Sequence, residues 1–135
     1  LFDYIHSVDN EKLLKKISNE GNKLNKKIKI FIQVNIGNEN QKNGVSINEL
    51  ESFYKECKKN YNLDIIGLMC IPPNEENTKK YFSQMTQLKS QFNLENLSMG
   101  MSSDYLDAIE CSSNFIRIGT SIFGERKYWI YFKLW

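Results

Sequence analysis

Arg117 has the most chemistry to explain. It lies midway along FIRIG, residues 115–119, between Ile116 and Ile118, in a segment that reads as a strand. A guanidinium does not shed its proton, and burying it alone is costly. It therefore needs an internal acceptor: a carboxylate on another strand, a group of carbonyls, or a ligand. Gly119 and Thr120 follow, where the strand gives way to a helical turn. Free backbone N–H groups at such a turn form an anion cup, and glycine lets a phosphate come close. The same residues also suit a tight turn that merely needs glycine. Ser98-Met99-Gly100 ends the preceding strand in the same way, a hydroxyl beside a glycine. Two such strand ends make a candidate phosphate cradle, as in barrels whose phosphate sites lie after their last strands.

Other candidates are weaker. His6 is the only histidine, which argues against histidine-based metal or triad chemistry in this chain. Cys57, Cys70 and Cys111 are odd in number, widely spaced and without a CxxC, so free thiols in a reducing compartment such as the cytoplasm are expected. Asp104, Asp107 and Glu110 share a short helix, and no metal site is expected there. Gln33 and Asn35 share a strand face and either line a pocket or satisfy each other. Glu39 and Lys42, three apart in a loop, read as a surface ion pair. The lysines from Lys12 to Lys29 lack interleaved aromatics or arginines and read as a solvated helix face rather than a nucleic-acid patch.

The elements that must position these residues alternate. FDYIHS, 2–7, reads as a strand, with Asp9 capping a helix that carries Leu13, Leu14 and Ile17 and stops at Gly21. IKIFIQVNI, 28–36, alternates cleanly: Ile28, Ile30, Ile32, Val34 and Ile36 on one face, Lys29, Phe31, Gln33 and Asn35 on the other. Ser46 and Glu49 form a capping box before a helix with Leu50, Phe53 and Cys57 in its stripe. A strand at 63–69, a helix at 76–92, a strand at 94–99, a helix capped by Ser102 or Ser103, and a strand at 115–119 complete the order. Five strands alternating with four helices predict an α/β fold with a parallel sheet, either doubly wound or a (β/α)8 barrel. No G-x-G-x-x-G or Walker loop follows any strand.

Composition sets the outer bounds. The 135 residues are 41% hydrophobic, 25% charged and 13% aromatic, which is ordinary for one modest core and excludes a disordered tail. The longest apolar run, near Ile65–Pro73, is far short of the ~20 residues of a membrane-spanning helix. A net charge of +2 implies no nucleic-acid partner, and no membrane partner or signal-peptide pattern is visible.

LSMGMSSDYLDAIE and RIGTSIFGER resemble the signature of the YggS/PROSC family of pyridoxal-phosphate homeostasis proteins. FDYIHSVD, QVNIGNENQKNG, GLMCIPP and the spacing of Phe82, Met85 and Leu88 fall in the same order, so that the resemblance covers roughly residues 2–126. It implies a (β/α)8 TIM barrel like the N-terminal domain of alanine racemase, of which this chain would hold strands four to eight. It implies pyridoxal 5′-phosphate (PLP) as the cofactor, no firmly established turnover, and a role in buffering and delivering PLP. Ser98, Gly119 and Thr120 would hold the phosphate, Arg117 would face the pyridine nitrogen, and Met69 and Met99 would pack near the ring. The family's Schiff-base lysine ends the first barrel strand, which this chain would lack, and no lysine here, Lys42 included, takes that role. At the spacing of these five units, eight would need about 216 residues. The alternatives are a fragment of a racemase-type PLP enzyme, or a phosphate-binding half barrel without PLP that acts with a partner chain. The implied parent is a monomer, and open sheet edges imply that the piece self-associates. The tail KYWIYFKLW, within residues 127–135, departs from the family. It either covers an edge or comes from a shifted reading frame.

Overall fold

The structure, a computed structural model, describes residues 2–40, 42–61, 63–74 and 77–125. Arg126 and the aromatic tail lie outside the described residues. Five strands, β1 (Tyr4–Val8), β2 (Lys29–Val34), β3 (Asp64–Cys70), β4 (Asn96–Met101) and β5 (Phe115–Arg117), pair in sequence order. Every pairing is parallel. Helices α1 (Glu11–Lys23), α2 (Ile47–Asn60), α3 (Lys79–Gln91) and α4 (Tyr105–Glu110) fill the crossovers, and α5 (Thr120–Phe123) is a single turn after β5. Among the described residues no helix is long and apolar enough to cross a membrane.

The sheet separates two faces. The row Val8, Ile32, Leu68 and Leu97 is in register across four strands and faces the helices. There it packs on Leu14, Leu50, Phe82 and Met85, all fully buried. Burying a large apolar side chain stabilises by roughly 1.5–3 kcal/mol, so this layer carries the fold. The other face curls on itself. Tyr4 of β1 and Phe115 of β5 have ring centroids 5.7 Å apart although three strands lie between them. Five parallel strands so curled, with helices outside, make an α/β half-barrel. The choice that periodicity left open is thereby settled in favour of the barrel curvature.

The inner face is not the wet surface that Gln33, Asn35 and Arg117 suggest. Phe31 is fully buried there, stacked under His6 at 4.4 Å and meeting Phe115 edge-on at 5.1 Å. Gly67 makes room for it, because a Cβ at that position would lie 2.8 Å from the Phe31 ring and 2.2 Å from the Asn96 carbonyl. Gln33 is buried as well, its amide donating to the Asn43 carbonyl at 3.4 Å. Asn35 braces the following loop in both directions, donating to the Glu39 carbonyl and accepting from the Glu39 N–H. Glu39 and Lys42 form the expected ion pair at 2.7 Å.

Several boundaries shift, each for a local reason. Asn10, not Asp9, caps α1: its side chain accepts from the Leu13 N–H, while Asp9 accepts from the Gly44 N–H across the mouth. Gly21 lies inside α1, and Asn25, at φ 50°, takes the left-handed position that ends the helix region. Ser46 is the N-cap of α2, but its hydroxyl donates to the Glu49 carboxylate instead of capping the backbone. Asp104, not Ser102 or Ser103, precedes α4 and accepts from the Met101 N–H. That leaves both serine hydroxyls out of the cap. All three cysteines are free and buried, and burial pushes the thiols of Cys57 and Cys70 up to about 12.

Candidate functional site

The site lies at the carboxyl ends of β4 and β5. Asn114 holds these strands together just below it, its carboxamide oxygen accepting from the Leu97 N–H and its N–H donating to the Leu97 carbonyl. Alternation along β5 then turns Phe115 and Arg117 inward and Ile116 outward. The Arg117 guanidinium donates through Nη1 to Ser98 Oγ at 2.7 Å and through Nη2 to the Cys70 carbonyl at 2.9 Å. Of the acceptors named for it from sequence, it has a carbonyl and a hydroxyl rather than a carboxylate. Burial draws its pKa down, and the nearby Cys70 and Asp104 oppose that. Arginine remains charged regardless. Two of its five N–H donors are engaged, which fixes the plane of the fork and leaves donors for a further acceptor.

Beyond Arg117 the chain turns at Gly119 and Thr120. Their neighbour is Ser102, whose Oγ accepts from the N–H of Gly119 at 3.4 Å and of Ser121 at 3.2 Å. A cavity of about 820 Å³ opens here, lined among others by Ser102, Arg117, Gly119, Thr120 and Phe123, with Glu125 on its edge. A Cβ built on Gly119 meets nothing within 4 Å, so the turn can be approached closely. Backbone N–H groups that converge on an oxygen thus lie beside a guanidinium with donors to spare, an arrangement suited to an anion.

The expected residues divide into three groups. Arg117, Gly119 and Thr120 share the cavity. Ser98 and Met69 pair in register on the inner face below it, with Ser98 fully buried and its hydroxyl taken by Arg117 and by His6 at 2.8 Å. Ser98 is thus at the Arg117 end rather than at the turn, because Gly100, at φ 97°, redirects β4 before Ser102 arrives there. Met99 alternates to the other face and is wholly buried in the helix-side core, so its side chain is separated from the cavity by the sheet.

Ser102, His6 and the Cys70 carbonyl escaped the sequence reading. The sequence offers Ser102 or Ser103 only as the cap of a helix. As the only histidine, His6 argues against metal or triad chemistry, yet its alternation with Tyr4 along β1 is the sign that it faces inward. A backbone carbonyl leaves no sequence signal.

The profile described as alanine racemase, N-terminal domain, matches residues 2–127. The chain belongs to this family. Among relatives of this alanine racemase N-terminal domain is the "Pyridoxal phosphate homeostasis protein" of Aquifex aeolicus, 38% identical over 92% of this chain and 58% of that protein. The protein of the same name from Vibrio cholerae is 36% identical over 94% of this chain and 57% of its own length. The chain therefore spans somewhat more than half of these relatives. Of solved structures, PipY of Synechococcus elongatus matches without PLP at a TM-score of 0.78 and 32% identity, covering 91% of this chain and 62% of PipY. PipY with PLP bound matches at a TM-score of 0.76 and 30% identity, covering 91% and 61%.

Proposed function

We propose that this chain binds PLP as the phosphate- and pyridine-holding part of a PLP homeostasis protein, working as a carrier. The observation that carries the reading is the Arg117 fork, clamped between Ser98 and the Cys70 carbonyl, beside a turn whose N–H groups already hold an oxygen. The relatives' name and the PLP-bound PipY support the choice of ligand.

The residues fit the group. The N–H groups of Gly119 and Ser121, with the Ser102 hydroxyl and Thr120 beside them, would take the phosphate. A free Arg117 N–H would face the pyridine nitrogen, and Met69 would lie on the inner face below. Ser98 is assigned to Arg117 and not to the phosphate, and Met99 to the core. When bound, PLP supplies an aldehyde for amines and a ring that drains electrons best when its nitrogen is protonated. Arg117 only donates, so it keeps that nitrogen an unprotonated acceptor, which suits holding and releasing PLP. Buried free thiols accord with a reducing compartment such as the cytoplasm.

Equilibrium dialysis of the chain against PLP tests this. We expect saturable binding that inorganic phosphate displaces, with no lysine adduct trapped by borohydride. Absence of saturable binding would sink the proposal. A stoichiometric adduct at one lysine would instead favour a racemase-type site.

A further inference from the structure

The Ser98 hydroxyl has one proton and must serve two neighbours. Arg117 Nη1 can only donate, so at 2.7 Å it takes an oxygen lone pair. The proton is then directed at His6 Nδ1, 2.8 Å away. That bond requires Nδ1 to be bare, which assigns His6 the tautomer protonated on Nε2. The ring is also held in place, stacked on Phe31 at 4.4 Å and 21° and edge-on to Phe115 at 5.5 Å. Ser98 is fully buried, so water cannot replace a lost partner there.

We propose that His6 is a positioning residue for Arg117, acting through the Ser98 hydroxyl, and that it holds the guanidinium in its ring-facing plane only while neutral. The inference rests on the reading that Arg117 meets the pyridine nitrogen. The elements packed on His6 present Phe31 from β2, Ser98 from β4, and Phe115 and Arg117 from β5; Arg117 is the charged group that acts on it. Burial and the Arg117 charge both lower the His6 pKa from its ordinary 6.5. A proton on Nδ1 would place two cationic donors on one oxygen and leave the Ser98 proton without an acceptor. Arg117 would then keep the Cys70 carbonyl alone and turn about it.

The test compares His6→Gln, which keeps an acceptor but does not titrate, with His6→Phe, which keeps the stacking and removes the acceptor. In ¹⁵N NMR of the wild-type chain at neutral pH, His6 Nδ1 should be unprotonated. Arg117 side-chain N–H exchange should be slow in wild type and His6→Gln and faster in His6→Phe. Wild-type PLP affinity should fall roughly tenfold as His6 is protonated, the scale of one hydrogen bond to a charged group. In His6→Gln the part of that fall due to His6 should vanish, leaving the titration of the PLP phosphate itself, with affinity at neutral pH retained, while affinity for inorganic phosphate is unchanged in both variants. A protonated Nδ1 in the wild type, or a His6→Gln profile as steep as the wild type's, would overturn the relay. If His6→Phe fails to fold, the wild-type and His6→Gln profiles still decide. If the wild type binds no PLP, the proposed function falls while the NMR results judge the relay separately.

Discussion

At the scale of single residues, the guanidinium fork is the feature on which the proposed binding turns. Arg117→Lys preserves charge but not shape: one ammonium cannot satisfy Ser98 and the Cys70 carbonyl from the same positions and still face a ring. We expect Arg117→Lys to weaken PLP binding about tenfold or more in dialysis, from the loss of a charge-assisted hydrogen bond. Affinity equal to wild type would remove Arg117 from the site. His6 yields a stability prediction of known sign. Its pKa is lowered on folding from 6.5, so below that value the unfolded chain binds more protons than the folded one. The folded state must therefore lose stability as pH falls through the window under 6.5. Urea midpoints measured at pH values from about 7 to about 5 should decline in the wild type, and His6→Gln should decline less over this window.

At the scale of elements, two glycines shape the site from opposite sides. A Cβ on Gly100 would lie 2.7 Å from Ala108 Cβ and 3.0 Å from Tyr105 Cα, and its φ of 97° disfavours any side chain. Gly100→Ala is expected to lower stability by roughly 1–3 kcal/mol. Gly119→Ala meets nothing and should melt as the wild type does, while its methyl hinders phosphate in the cup. A Gly119→Ala chain with unchanged affinity would remove that turn from the site. The alternation of elements was legible because each carries its own period: Ile28 through Ile36 on a strand, Phe82, Met85 and Leu88 on a helix. Arg117 was legible because a mid-strand cation must be explained. Sequence alone points Ser98 to the phosphate, because it places a hydroxyl at a strand end but not on a face. Only register shows that it is level with Met69 and Phe115 and aimed at the interior. Asp9 and Asn10 are both good caps, and the tie was broken by a tertiary bond from the Gly44 N–H to Asp9.

At the scale of the whole molecule, β1 and β5 each pair with one other strand among the described residues. Their outer backbone groups form two parallel edges, a standing invitation to association. Phe2, at the amino end of β1, and Ile122 and Phe123, beyond the carboxyl end of β5, add apolar surface at 79%, 67% and 84% exposure. The chain as given should therefore associate as its concentration rises, which sedimentation velocity would show. A monomer that persists into the high micromolar range would mean that the edges are protected.

The Ser102 hydroxyl receives the N–H groups of Gly119 and Ser121, so these donors are satisfied with or without a ligand. Under the proposed function, a phosphate oxygen would take the place that the Ser102 hydroxyl oxygen holds at this turn, with the same two N–H groups serving either. A cup whose donors are already met by its own chain gives up one bond for each that it gains, so its hold on an anion would rest on the extra charge the anion brings and on the anion's concentration.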